Sequence, residues 1–442
     1  MSGIESLPAG FLFGTSTAAY QIEGAVAEDG RGPSIWDTFT AQPGRIADGS
    51  SGAVACDHYH RWPADLELLR RLGAPGYRFS IAWPRVQPDG TGLNARGLDF
   101  YDRLVDGLLS AGLQPMATLY HWDLPQRLED AGGWLRRDTA LRFGEYASVV
   151  AARLGDRVTH WCPVNEPNVA ILQGYAQTGL APGRGLLFGA LPAAHHLLLA
   201  HGLAVEALRR GSHGRIGTAT NHFPVWPVTA SEADRGAAAQ LDLFWNRLFA
   251  DPVLLGRYPH GLLADASPDD LALISQPLDF YGVNYYNPIA VRAPAPGSPL
   301  PFEYADITGH PVTGFGWPVV PAALTDLLTG LKARYPALPP LIVTENGCSY
   351  PAGLDDTARV DYLDAHLRAV AEAVGRGVDV RGYYCWSLLD NFEWADGYTQ
   401  RFGLVEVDFE TLERTPRRSF TWYAEQVRRH REAHRPPRAK RD

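Results

Sequence analysis

The sequence predicts an α/β fold, specifically a single-domain (β/α)8 TIM barrel with elaborated βα loops. Three observations point there. Short apolar runs alternate with helix-period segments from end to end, the runs number eight, and most of them close on a polar or aromatic residue suited to chemistry. The runs are FLFG (11–14), GYRFSIAW (76–83), QPMATLYH (114–121), VTHWCPVN (158–165), RIGTATN (215–221), LDFYGVNYY (278–286), PLIVTEN (340–346) and VRGYYCWS (380–387). DFYDRLVDGLLSAG (99–112) is a clear helix between two of them. It carries Phe100, Leu104, Val105, Leu108 and Leu109 at helical spacing before a glycine stop.

By length alone, 442 residues suggest two or three domains. A barrel with long loops, however, can exceed about 400 residues as one domain. No linker-like break appears, and the Pro-rich stretch 293–321 falls between the sixth run and its helix, so it reads as a loop. The expectation is one barrel over residues 1–430 and a basic, frayed tail over 431–442. The basic cluster itself begins at Arg428 and holds seven Arg/Lys and Pro436-Pro437.

Hydrophobic residues at 45% and charged residues at 20% are ordinary for a soluble globular chain. The net charge of -9, from 40 Lys+Arg against 49 Asp+Glu, argues against a nucleic-acid partner, which needs a basic face. Four scattered cysteines form no CxxC pair and describe neither a disulfide framework nor a zinc site. The N-terminus lacks a secretory pattern. The apolar segment 186–208 is interrupted by Pro192, His195, His196 and His201, and reads as a buried helix and not a membrane span. A cytoplasmic location without a membrane partner is expected. Twelve Trp and nineteen Tyr keep sugar stacking in view.

Active sites of such barrels sit at the carboxyl ends of the strands. Arg78 lies within the second run, His121-Trp122 ends the third and Asn165-Glu166 the fourth. Asn284 and Tyr286 end the sixth, Glu345 the seventh and Trp386 the eighth. Taken singly, Glu166 before Pro167 fits a loop or capping residue, and Glu345 before Asn346-Gly347 fits a turn. Taken together, they set two carboxyl groups across one barrel mouth, which is what glycoside hydrolysis requires. A cation beside one acid would keep that acid ionised and leave the other to act as the proton donor. The sequence leaves open which acid Arg78 adjoins, and an ordinary barrel ion pair is the plain alternative.

These residues carry a resemblance. FLFGTSTAAYQIEGA (11–25), YRFSIAWPR (77–85), TLYHWDLPQ (118–126), VNEP (164–167), GVNYY (282–286), VTENG (343–347) and WSLLDNFEWADGYTQRFGL (386–404) resemble, in order, the landmarks of the β-glucosidases of glycoside hydrolase family 1. The resemblance implies a retaining double displacement, with Glu345 as nucleophile and Glu166 as general acid/base. Their carboxyl groups would then stand roughly 5–5.5 Å apart. It also implies that Arg78, Tyr286 and Asn284 support the nucleophile. Gln21, His121, Trp122, Asn165, Glu393 and Trp394 would bind the sugar, above a Trp386 platform, and Asn168 and Trp317 would face the aglycone. Glu393 opposes a phosphorylated sugar, since an acid there would repel a phosphate dianion. An intact NEP argues against the thioglucosidase branch.

Three departures from the family pattern fall near the aglycone side. Asn168 stands where many bacterial members have Trp, Leu180 where His is common, and the loop from Cys348 to Asp361 is short. No cofactor or metal is called for, and the histidines read as packing residues. The expected substrate is a small β-glucoside or oligosaccharide. Alternatives are a β-galactosidase or β-fucosidase specificity, transglycosylation, and, from another class, a non-catalytic sugar-binding barrel. The sequence leaves the oligomeric state open.

Overall fold

The computed structural model describes residues 3–435. Its central strands are Leu12–Ser16, Gly76–Ser80, Gln114–Tyr120, His160–Val164, Arg215–Ile216, Thr220–Asn221, Tyr281–Asn284, Leu341–Asn346 and Val380–Trp386. Every pairing among them is parallel, and the order runs from 215–216 through the first strand to 220–221. The two short end pieces are halves of one stave. The expected continuous fifth strand, 215–221, is therefore broken. Gly217 N donates to Trp161 O (2.9 Å) and Glu166 N to Ala219 O (2.6 Å), so the gap still closes the ring. The break coincides with a close backbone approach: a Cβ on Gly217 would lie 2.5 Å from Phe280.

The staves are buried along nearly their whole length, as expected where helices cover the outside and side chains fill the inside. Below the mouth the barrel is plugged by Leu12, Met116, Cys162, Ala219, Phe280, Ile342 and Tyr384. The Tyr384 ring takes the space that side chains at Gly14 and Gly76 would fill, at 2.4 and 2.6 Å from their ideal Cβ positions. The plug gives the site above it a solid floor.

The outer ring includes helices His58–Leu72, Ala95–Ser110, Arg137–Leu154, Leu191–Gly211, Glu232–Asp242, Pro321–Arg334, Thr357–Gly375 and Arg418–Ala433. The helix expected over 99–112 begins earlier, at Ala95, and Leu109 is exposed while its apolar neighbours are buried. The segment 187–211 is long and apolar enough to cross a membrane by length and composition, yet most of it is buried in the fold. Pro192 opens this helix at its first turn and does not interrupt it.

The Pro-rich loop after the sixth stave holds structure that periodicity did not reveal. Residues 303–305 pair antiparallel with 289–292, which pair parallel with 225–227, forming a small sheet beside the mouth. The expected tail boundary at 431 is also displaced. The last helix runs to Ala433, and Arg431 donates to Gly73 O (2.8 Å). The rest of the expected tail, 436–442, lies outside the described residues.

Candidate active site

The carboxyl ends of the staves surround a cavity of about 310 Å³ lined by both acids, Glu166 and Glu345. His121, Trp122, Tyr286, Trp317, Trp386, Glu393 and Trp394 line it as well. The eight-stave arrangement thus brings most of the expected residues to one place.

Glu345 is buried at the end of the seventh stave. Its Oε1 accepts from Arg78 Nη1 at 2.5 Å, and its Oε2 accepts from the Tyr286 hydroxyl at 2.8 Å. Arg78 is itself fully buried, and its Nη2 donates to Asn165 Oδ1 at 2.6 Å. The guanidinium therefore belongs to Glu345, which answers the question the sequence left open.

Glu166 has a different environment. Among the described residues, no cation hydrogen-bonds or pairs with it. Its Oε1 accepts from two amides, Asn284 Nδ2 (2.8 Å) and Asn221 Nδ2 (3.1 Å). Burial, and next the charge of Glu345, push its pKa up to about 8; the two amide bonds and Arg78 oppose this only in part. Asn284 was expected to support the nucleophile; it pairs in register with Glu345, but its side chain reaches the other acid. The amide of Asn284 serves Glu166 and Asn165, while its Oδ1 accepts from the Thr344 hydroxyl (2.6 Å). Both acids lie at one mouth, and only coordinates distinguish which of them a neighbouring strand end reaches.

The sugar-binding set divides into groups that face the cavity and groups that orient them. Asn165 is fully buried with every side-chain atom engaged: Oδ1 accepts from Arg78 and Asn284, and Nδ2 donates to His121 Nε2 at 3.0 Å. That fixes the neutral His121 with its proton on Nδ1, which has no partner among the described residues. Burial, then Arg78, hold the His121 pKa well below its usual value. Gln21 spends its amide N–H groups chiefly on Asn391 Oδ1 and Phe392 O, both at 2.9 Å, and its Oε1 has no partner among the described residues. A free donor and a free acceptor, both buried, are what a sugar hydroxyl could satisfy. Trp122 lines the cavity but gives its indole N–H to Asn165 O (3.1 Å).

Glu393 accepts from Gln21 Nε2 (3.3 Å). Burial, then Asp396, Glu345 and Glu166, raise its pKa well above the ordinary range. His121 lies nearly parallel to both Trp386 and Trp394, with ring centroids 5.9 Å apart in each case. Trp317 stacks on Phe315 (4.4 Å, 3°) at the rim. Among the described residues, no group of three or more His, Cys, Asp or Glu is placed to hold a metal ion.

Three residues of the wall have positive φ without being glycine: Glu166 (44°), Trp122 (78°) and Trp394 (52°). L side chains adopt this region at a cost, and such residues gather at functional sites.

Asn168 was expected on the aglycone wall and is not there. It is fully buried behind the wall, where Nδ2 donates to Asn221 O (2.8 Å) and Trp245 O (3.2 Å). The wall residue is Trp245. Sequence reading missed Asn221 and Trp245. Asn221 closes the RIGTATN run, so the strand-end rule could have found it; Trp245 projects from a helix and had no such signal.

Comparison with known proteins covers nearly the whole chain. The family model described as "Glycosyl hydrolase family 1" matches residues 4–432. "Thermostable beta-glucosidase B" of Thermobispora bispora is 47% identical, covering 97% of this chain and 92% of that protein. A "Bifunctional beta-D-glucosidase/beta-D-fucosidase" of Bifidobacterium breve is 46% identical, covering 94% and 97%. The solved complex of virulence factor SghA of Agrobacterium tumefaciens with its substrate analog salicin superposes with a TM-score of 0.92. It is 44% identical over 96% of this chain and 97% of that one.

Proposed function

The chain belongs to glycosyl hydrolase family 1, and on that premise we propose that it is a retaining β-glucosidase in which Glu345 is the nucleophile and Glu166 the general acid/base. One observation carries the assignment of roles. The acid held by Arg78 and Tyr286 is Glu345, while the acid with only amide donors, pushed up to about 8, is Glu166.

The chemistry follows from that asymmetry. At neutral pH Glu166 holds a proton and gives it to the glycosidic oxygen as the bond to the anomeric carbon breaks. Glu345 attacks that carbon from the opposite face, forming a glycosyl ester and releasing the aglycone alcohol. Glu166 has given its proton away, and esterification removes the negative charge that helped raise its pKa, so it stays ionised and can now act as the base. It takes a proton from water, the oxygen attacks the anomeric carbon, and Glu345 leaves with the electron pair of the ester bond. Two inversions retain the β configuration. Arg78 and Tyr286 receive the returning carboxylate without reorganising.

Gln21, His121 and Glu393 supply hydroxyl partners, and Trp386 the apolar platform, for a terminal β-D-glucosyl group of a small glucoside. A β-fucoside is a second reading, favoured by the bifunctional relative. We place the protein in the cytoplasm, in keeping with its four unpaired, buried cysteines. The test is a panel of aryl β-D-glycosides with the first-formed anomer followed by NMR. β-Glucose should appear first; α-glucose first would overturn retention, and no turnover of any glycoside would overturn the enzyme reading.

A further inference from the structure

Glu166 shows two unlike oxygens. Oε1 accepts both amide bonds, whereas Oε2 accepts none from the described residues and the carboxyl group borders the cavity. A proton on Oε1 would have to crowd against two N–H donors; a proton on Oε2 would not. Acid catalysis needs it on the cavity side. The position of the proton therefore depends on both amides presenting nitrogen, and not oxygen, to Glu166.

Each amide has a hydrogen-bond partner that fixes its orientation. For Asn284 it is Asn165 Oδ1, an oxygen already held by Arg78 and able only to accept, so Asn284 must present Nδ2. For Asn221 it is the Trp245 indole, whose Nε1 donates to Oδ1 at 3.0 Å. An indole N–H can only donate, so Asn221 Oδ1 must turn to Trp245 and Nδ2 to Glu166. Trp245 is in turn seated by stacking on Phe223, with centroids 4.5 Å apart. Asn168 ties the two together by donating to the backbone carbonyls of both Asn221 and Trp245.

We propose that Trp245 and Asn168 are positioning residues for acid catalysis, acting through Asn221 to keep the proton of Glu166 on its cavity-facing oxygen. This rests on the reading of Glu166 as the acid. The lock spans three elements: the end of the fifth stave, the helical segment Pro167–Ile171 and the segment Leu243–Arg247. It also gives the Asn168 departure a role, because a side-chain amide at that position can reach two carbonyls. Among the described residues, the charged and titratable groups that act on Glu166 are Glu345, Arg78, Tyr286 and Glu393, and none of them hydrogen-bonds to the side chain of Asn221 or Trp245.

The experiment compares Trp245→Phe with the unmodified protein on methyl β-glucoside and 2,4-dinitrophenyl β-glucoside. Phenylalanine keeps a ring against Phe223 while removing the indole donor and part of the wall. Methanol is a poor leaving group that needs the proton, whereas dinitrophenolate does not. A methyl aglycone is also too small to use the indole as a wall, so any lost wall contact would penalise the dinitrophenyl substrate instead. The fall in kcat/KM on the methyl glucoside should exceed that on the dinitrophenyl glucoside by about tenfold or more. The alkaline limb should move up by roughly half a pH unit, because a donated bond that favours the carboxylate is weakened. Asn221→Ala removes the locked amide itself and should show the same split, which keeps the test available should Trp245→Phe fold poorly. Asn168→Ala should move in the same direction by a smaller factor. Equal losses on both substrates with an unmoved alkaline limb would overturn the proposal. Lack of turnover by the unmodified protein would sink the glycosidase reading and the lock with it, and it is recognised before any substitution is made.

Discussion

Arg78 and Glu345 form a buried ion pair, with Nη1 2.5 Å from Oε1 and the two side chains 1% and 4% exposed. The pair extends further, since Arg78 Nη2 reaches Asn165 Oδ1, Asn284 reaches the same oxygen, and Asn284 also donates to Glu166. The two acids are thus linked through a guanidinium and two amides. Removing the cation leaves a carboxylate buried and unpaired, which costs about 3–5 kcal/mol. Arg78→Ala should lower stability by that order in chemical denaturation and reduce kcat by several orders of magnitude.

The two acids should fail differently. Glu345→Gln has no nucleophile, and no glucoside should be turned over whatever its leaving group. Glu166→Gln keeps the nucleophile and loses the proton, so rates on poor leaving groups should fall about 10²–10⁴-fold while activated aryl glucosides form the glycosyl ester. Burst kinetics on a dinitrophenyl glucoside read the second outcome directly.

The pH dependence follows from Glu166. The protonated form is the competent one for the first step, so kcat/KM should hold below the pKa of about 8 and decline as pH rises through it. The pH-rate profile checks this, and an alkaline limb near the ordinary carboxylate range would contradict the acid role.

Asp123 offers a separate test of stability. It is buried beside the site, both carboxyl oxygens lack partners among the described residues, and burial pushes its pKa from 3.8 up to about 7. A folded pKa raised above the unfolded value means that the folded chain binds the proton more tightly. Its contribution is fully present below 3.8 and lost as pH rises through 7. Asp123→Asn should therefore flatten the fall in stability between those limits, worth up to about 4 kcal/mol. Denaturation midpoints at a series of pH values would show it.

The free acceptor on Gln21 predicts a ligand effect. A glucose-configured inhibitor at a hundred times its Kd should stabilise the fold by about 2.7 kcal/mol. Gln21→Leu should weaken that inhibitor by about 1–3 kcal/mol, since the hydroxyl loses its partner. Thermal shift with and without inhibitor separates this from simple destabilisation.

Much of this was legible in the sequence, for a physical reason. A parallel stave is buried on both faces and reads as an apolar run, and its polar end stands out against it. That rule found Glu166, Glu345, Tyr286 and Trp386. It misplaced Asn284, because two acids share one mouth and sequence order says nothing about which one a neighbouring strand end reaches. The family resemblance put Asn168 on the wall, because the position after NEP does not reveal which way a short helix turns its side chains. The fifth stave was read as continuous since a close approach of Gly217 to Phe280 leaves no mark on hydrophobic pattern. Trp245 lies on a helix, where one more aromatic residue is ordinarily packing.

The left-handed backbone at Glu166, Trp122 and Trp394 has a consequence for how this chain can age. Each of these residues holds a conformation that glycine would take freely, and each borders the cavity. Glycine at Glu166 would relax the backbone and remove a buried acid while abolishing the chemistry, so stability and activity pull in opposite directions there; at Trp122 and Trp394 the loss of a buried indole outweighs that relief. A lineage released from selection for catalysis would gain stability by losing Glu166 while keeping both indoles, and its decay would leave a sound barrel with a ruined mouth.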